Sequence, residues 1–225
     1  EEVNGMTWLV RALPADETFK RKKGEEEEIF LQRLMPADAL RIRGRHNALN
    51  ALAALALAAS TGQALAPMLY GLREYAGEPH RVESVAIVHD VEYFDDSKGT
   101  NVGATVAAIE GLGAERRLWV ILGGDGKGQD FGPLAGPVAR HVRGVALIGR
   151  DATVIESALA GCGVMLHHGE DLPAAVHWCR HQAQAGDAVL LSPACASFDM
   201  FDNYGHRAEV FVATVRDMAA SEGVA

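Results

Sequence analysis

From residue 85 onward the chain repeats one pattern: a short apolar run, then a stretch of helical composition. The runs are LWVILGG (118–124), VRGVALIG (142–149), VMLHHG (164–169) and DAVLLSP (187–193). Between and after them come GPLAGPVARHV, DATVIESALAG, DLPAAVHWCRHQAQAG and a long final segment, MFDNYGHRAEVFVATVRDMAAS. A strand that is apolar along its whole length has no solvent face, so helices must cover both sides of its sheet. Just upstream, VESVAIV and VEYFDD flank His89-Asp90 and read as paired strands. The expectation is an α/β, Rossmann-like domain with a mostly parallel sheet, and such sheets hold ligands at the carboxyl ends of their strands.

The first third of the chain reads differently. MTWLVRAL (6–13) is a strand. Lys20 to Lys23 and Glu25 to Glu28 flank Gly24 and suggest an exposed hairpin turn. Arg45 to Thr61 has helix composition and Gly62 is its natural stop. A second amphipathic segment ends at Gly77, and Pro79 follows. A proline just past a helix end marks the best domain boundary, which divides the chain into 1–78 and 79–225.

Bulk properties exclude some classes. With 21 basic against 30 acidic residues the net charge is −9, which argues against a nucleic-acid surface as the main function. Cys162, Cys179 and Cys195 show no CxxC spacing and read as free thiols in a reducing compartment. The longest weakly polar stretch, Ala48 to Ser60, is too short to span a bilayer. No signal peptide is visible and the first residue is Glu1 rather than methionine, so a cytoplasmic protein, processed or a fragment, is expected.

Three strand ends are unusually polar or glycine-rich: DDSKGTN (95–101), GGDGKGQDFG (123–132) and SPACASFD (192–199). The second fails the phosphate-loop pattern, because Gly128 follows Lys127 where Ser or Thr is required. It also fails the dinucleotide fingerprint, with Gln129 or Phe131 where the third glycine belongs. What remains is a close-approach loop with one cation. In the third, Ser197 and Asp199 are either helix-start chemistry or part of an anion site at a helix N-terminus. In the first, Thr100 or Asn101 caps the next helix, or Asp96 and Lys98 hold a ligand; both readings stand on the residues alone. Cys195 lacks a partner histidine and reads as a small buried thiol. His177 and His181 lie four apart without the Glu of HExxH, so they read as ordinary histidines. His167 and His168 alternate in a strand, so at most one faces any site. Asn47 and Asn50 lie three apart on one helix face and can bond a purine edge or phosphate oxygens.

Taken in order, HNALNALAALALA, EPHRVE, DDSKGTN, LGGDGKGQDF and GDAVLLSPACASFDMFDNYGHRAEVF resemble the Mur ligases, and among them the D-glutamate-adding branch. The resemblance covers residues 46–211 well and 1–45 more loosely. It implies ATP-dependent amide formation. ATP phosphorylates the terminal carboxylate of UDP-N-acetylmuramoyl-L-alanine, and the amine of D-glutamate attacks the acyl phosphate. It also implies that residues 1–78 are the tail of a central α/β ATPase domain and 79–225 the amino-acid-binding domain. The P-loop is absent, so the isolated chain is expected to be inactive. The cofactors implied are ATP and Mg2+, with the metal ligands, the N-terminal domain and the rest of the central domain outside this chain. No residue here is assigned to catalysis or to a metal.

By motif position, Asn47, Asn50, Arg81, Asp96 and Lys98 would bind nucleotide, with Asp96 on the ribose. Thr100, Lys127, Ser197, Phe198 and Tyr204 would hold D-glutamate. The sequence departs from the family where Tyr204 replaces a common Phe, Phe198 a Leu and Gly99 an Ala. A monomer is expected, with small-molecule partners, no nucleic acid and no membrane. The alternatives are another Mur-type or folylpolyglutamate-type ligase, a Rossmann-like oxidoreductase, or a non-catalytic ligand-binding domain.

Overall fold

The computed structural model describes residues 1–15 and 28–223; the turn expected around Gly24 lies outside them. The chain divides into two compact units, Glu1–Ile42 with Ala48–Ala76, and Arg43–Asn47 with Gly77–Ala225.

In the first unit β1 (Glu2–Val3), β2 (Met6–Pro14) and β3 (Ile29–Pro36) form an antiparallel sheet in that order. Two helices follow in the chain, α1 (Arg45–Ala59), which belongs to this unit from Ala48 onward, and α2 (Leu65–Glu74). Alanine favours α1 because it loses no side-chain entropy, and Gly62, at φ 80°, follows its end. Leu9, Met35, Leu40 and Ala51 make this unit's core.

The second unit begins with the hairpin β4 (Glu83–Val88) and β5 (Val91–Asp95). His89 and Asp90 both hold positive φ, which a two-residue turn requires to match the strand twist. Then come α3 (Val102–Gly113), β6 (Leu118–Gly123), α4 (Ala135–His141), β7 (Val142–Ile148) and α5 (Ala152–Leu159). β8 (Met165–His168), α6 (Leu172–Gln182), β9 (Ala188–Leu191) and α7 (Tyr204–Ser221) complete it. The strand order is β4-β5-β9-β6-β7-β8, and every pairing beyond β4–β5 is parallel.

Successive residues of β6 serve opposite cores. Leu118, Val120 and Leu122 pack with Ile109, Leu112, Ile155 and Leu159 on one face. Trp119 and Ile121 pack with Val176, Phe211 and Val215 on the other. Burial of each large side chain contributes about 1.5–3 kcal/mol, so both faces of the sheet contribute to holding its strands in place. Trp119 also donates Nε1–H to Asp187 Oδ2 at 3.1 Å, so its one polar atom is satisfied.

One sequence expectation is corrected. The last helix does not begin near Ser197 but at Tyr204, where the Asn203 side chain accepts from His206 N at 3.0 Å. An Asn cap ends the competition for that start. Ser197 instead opens a separate turn, its carbonyl accepting from Met200 N and Phe201 N. Its hydroxyl therefore does not lie at the N-terminus of α7.

Candidate functional site

The strand order explains why the three polar strand ends matter together. β9 lies between β5 and β6, so DDSKGTN, GGDGKGQDFG and SPACASFD leave three adjacent parallel strands on the same edge. Backbone bonds then join the loops. Gly123 N donates to Pro193 O, and Ala194 N to Gly99 O, both at 2.9 Å. Asp125 and Ala196 exchange two bonds of 2.9 Å as a one-step antiparallel bridge. Gly123 has φ 128°, and a Cβ there would sit 1.9 Å from Ile148 O. Only glycine permits that approach.

Two side chains that sequence reasoning did not single out complete the junction. Gln129 accepts from Val102 N at 3.0 Å and donates to Ala194 O at 2.6 Å, so it ties the middle loop to both others. Arg207 is almost fully buried. It donates to Ser97 Oγ at 2.9 Å, Ser97 O at 2.8 Å and Cys195 O at 3.2 Å. Burial pulls its guanidinium down to about 10, so it stays charged at neutral pH. Arg207 shares the inward stripe of α7 with Phe211, Val215 and Met218. A lone arginine on an apolar helix face was the available signal.

The first loop is held from within. Asp95 Oδ1 accepts from Ser97 N at 2.9 Å and Oδ2 lies 2.7 Å from His80 Nδ1. The His80 carbonyl accepts from Lys98 N at 3.1 Å. Asn101 caps α3 through Ala104 N at 2.9 Å, so capping and ligand roles divide among neighbouring residues. The Asp96 carboxylate turns inward: Oδ2 accepts from Ser192 Oγ at 2.6 Å, and that hydroxyl lies 3.0 Å from Thr105 Oγ1. Burial pushes the Asp96 carboxyl up to about 7, against the opposing Ser192 hydrogen bond. Gly99 makes the room: a Cβ there would lie 2.4 Å from Asp96 Oδ2 and 2.8 Å from Ser192 Oγ.

Two cations stand on the outside of this junction, each over an aromatic ring. Lys98 Nζ lies 4.0 Å from the Tyr204 ring centroid and Lys127 Nζ 5.9 Å from that of Phe198. Lys127 is exposed and held at φ 52°. Its backbone N–H donates to Asp125 Oδ1 at 3.0 Å. Phe198 is 68% exposed. Thr100 is half-buried beside Lys98, whose carbonyl accepts from Thr100 N at 2.8 Å, and Ser197 is buried. Arg81 is exposed and its charge favours ionised Asp96. Thus the structure brings Arg81, Asp96, Lys98, Thr100, Lys127, Ser197, Phe198 and Tyr204 to one sheet edge. Asn47 and Asn50 lie on α1, where Asn47 Nδ2 donates to Arg43 O at 2.8 Å.

The other candidates fall to packing. Burial drives the Cys195 thiol up to about 12, which removes it as a nucleophile. His167 stacks on Trp178 at 4.8 Å, and His168 Nε2 lies 3.1 Å from Glu156. Among the described residues, the group with metal-like spacing is His80, Glu83 and Asp95, not His177 and His181.

A mostly parallel sheet with three polar loops joined at the carboxyl ends of adjacent strands is an architecture of α/β ligand-binding domains, and sequence comparison identifies the family. The profile described as "Mur ligase, glutamate ligase domain" matches residues 80–195, slightly more than half of the 225. The chain belongs to the Mur ligase family. It is 68% identical to the UDP-N-acetylmuramoylalanine–D-glutamate ligase of a Polaromonas species over 100% of this chain and 38% of that protein. It is 67% identical to the enzyme of the same name from Albidiferax ferrireducens, over 100% of this chain and 44% of that protein. The chain thus spans less than half the length of these relatives. The UDP-N-acetylmuramate–alanine ligase of Thermotoga maritima shares the fold, with a TM-score of 0.58 at 20% identity over 88% of this chain and 42% of that one.

Proposed function

We propose that the chain is part of an ATP-dependent ligase that adds D-glutamate to UDP-N-acetylmuramoyl-L-alanine in cytoplasmic peptidoglycan synthesis. Residues 79–225 are its amino-acid-binding domain and 1–78 the C-terminal part of its ATP-binding domain. The observation that carries this reading is the joined set of three strand-end loops with a lysine–aromatic pair at each side. The likeness to two D-glutamate ligases at 67–68% identity supports the same substrate.

ATP with Mg2+ supplies the phosphoryl group that turns the terminal carboxylate of the nucleotide substrate into an acyl phosphate. The charge of Arg81 and Lys98 fits a nucleotide by offering cations for phosphate oxygens. Asp96 is assigned to a ribose hydroxyl by the family resemblance, and reaching it requires the carboxyl to turn out from Ser192. Asn47 and Asn50 are assigned to the nucleotide by the family resemblance. In the proposal magnesium takes its ligands from the part of the ligase outside this chain, as the family resemblance implies. Lys127 neutralises one carboxylate of D-glutamate, while Thr100 and Ser197 donate hydroxyl hydrogens. Phe198 and Tyr204 wall the pocket. Fixing both carboxylates aims the amine at the activated carbon, and that positioning is this domain's share of the catalysis. In this reading catalysis requires the remainder of the ligase.

The test is kinetic, in a full-length ligase carrying this chain. Lys127→Ala removes a charge-assisted bond of about 1.5–3 kcal/mol, so the KM for D-glutamate rises roughly ten- to a hundredfold. An unchanged KM refutes the assignment, and a wild-type enzyme that prefers L-glutamate or requires a nicotinamide cofactor refutes the function.

A further inference from the structure

Tyr204 is assigned above to the amino acid, yet its surroundings point elsewhere. Its ring face carries Lys98 Nζ at 4.0 Å, a full cation–π contact. Its ring and the His80 imidazole lie in a T-shaped arrangement, with centroids 6.1 Å apart and planes at 72°. Its carbonyl accepts from Ser97 Oγ at 2.8 Å, and that same hydroxyl accepts from Arg207 Nε at 2.9 Å. The Asn203 cap fixes the backbone on its other side. Tyr204 is therefore held at its backbone, and its partly exposed ring rests between the His80 imidazole and the Lys98 ammonium. Lys98 is held by its own backbone too, through the His80 carbonyl. A flexible lysine whose ammonium rests on a fixed ring gives up fewer rotamers when an anion arrives.

We propose that Tyr204 is a positioning residue for the nucleotide, acting through Lys98: its ring presents the ammonium to a nucleoside polyphosphate. This rests on the ligase reading and adds a second task to a residue assigned to D-glutamate. The aromatic face is the active feature; the hydroxyl is not needed for it. The pair also links the two ligand sites, because whatever fixes the ring for one ligand fixes the lysine for the other. Such coupling acts equally in both directions on binding.

The experiment is a double-variant cycle in a full-length ligase carrying this chain, with KM read separately for ATP and for D-glutamate. Tyr204→Leu raises the ATP KM about three- to tenfold, the range a partly desolvated cation–π contact supports. Tyr204→Phe, which keeps the ring, returns the ATP KM to within about twofold of wild type. Lys98→Met raises it at least as much, and the Lys98→Met/Tyr204→Leu pair raises it no further. A wall for D-glutamate alone predicts a changed D-glutamate KM with the ATP KM untouched, and that result overturns the proposal. Additive effects of the two substitutions overturn it as well. Loss of folding is recognised by direct nucleotide binding to Tyr204→Phe, which must survive. A wild-type enzyme without ATP-dependent ligation overturns the function itself, a distinct outcome from an active wild type with an indifferent Tyr204.

Discussion

Asp96→Asn isolates the buried carboxyl at the centre of the junction. In the folded protein the carboxyl is pushed up to about 7 by burial, while in the unfolded chain it titrates near the ordinary 3.8. Between those values the unfolded state has released its proton and the folded state keeps it. Stability must then fall as pH rises through that window, and it is fully present below about pH 4. At about 1.4 kcal/mol per tenfold change in proton affinity, the loss is roughly 4 kcal/mol by pH 8. That is a large share of the roughly 5–15 kcal/mol that holds an ordinary domain folded. Asparagine has the same shape, accepts from Ser192 and carries no charge, so its contribution is flat with pH. Urea unfolding of both proteins from pH 4 to 8 measures the difference. Trp8 belongs to the first unit, whereas Trp119 and Trp178 belong to the second. A Trp8→Phe background therefore makes fluorescence report the second unit only. The variant should gain about 4 kcal/mol on the wild type across the range. A gain below 1 kcal/mol would falsify the argument that burial, rather than the Ser192 bond or the nearby Arg81, decides the state of this carboxyl.

Other consequences follow from the same junction. Gly99→Ala places a methyl 2.4 Å from Asp96 Oδ2, so the short side chain swings out. Carboxyl-carbon NMR should then show Asp96 titrating well below 7, and an unmoved titration refutes the steric account. Arg207→Met leaves the Ser97 and Cys195 carbonyls without their donors. At about 1–3 kcal/mol for each buried orphan, the variant loses about 3 kcal/mol or more in urea unfolding, and a loss under 1 kcal/mol contradicts the role given to Arg207.

Much of the fold is legible because its signal is local. A run such as LWVILGG has no polar face, so burial on both sides is written into the residues themselves, and His89-Asp90 marks its hairpin by composition. The polarity of the three strand ends is legible for the same reason. Their meeting is not, since β9 comes last in the chain and yet lies between β5 and β6. Nothing in the period of DAVLLSP says which neighbours it takes. The start of α7 is ambiguous in the sequence because Ser197 and Asn203 are both good caps, and the choice depends on the turn that Ser197 closes with Met200 and Phe201. In the sequence Gln129 stands out only where a third glycine is absent. Its two bonds reach residues 27 and 65 positions away, a separation that spacing rules do not see.

The late arrival of β9 has a consequence for the life of the chain before it is whole. During synthesis the β4–β5 hairpin and the β6-β7-β8 group can each form from residues already released. Their facing edges, on β5 and β6, have no partner until residues 188–191 emerge. Until then the nascent protein carries two open apolar edges, the kind of surface that pairs with other chains. The same strand that seats the ligand loops side by side also closes this period of exposure, so a ribosome that stalls before it leaves a product prone to aggregate rather than a smaller working domain.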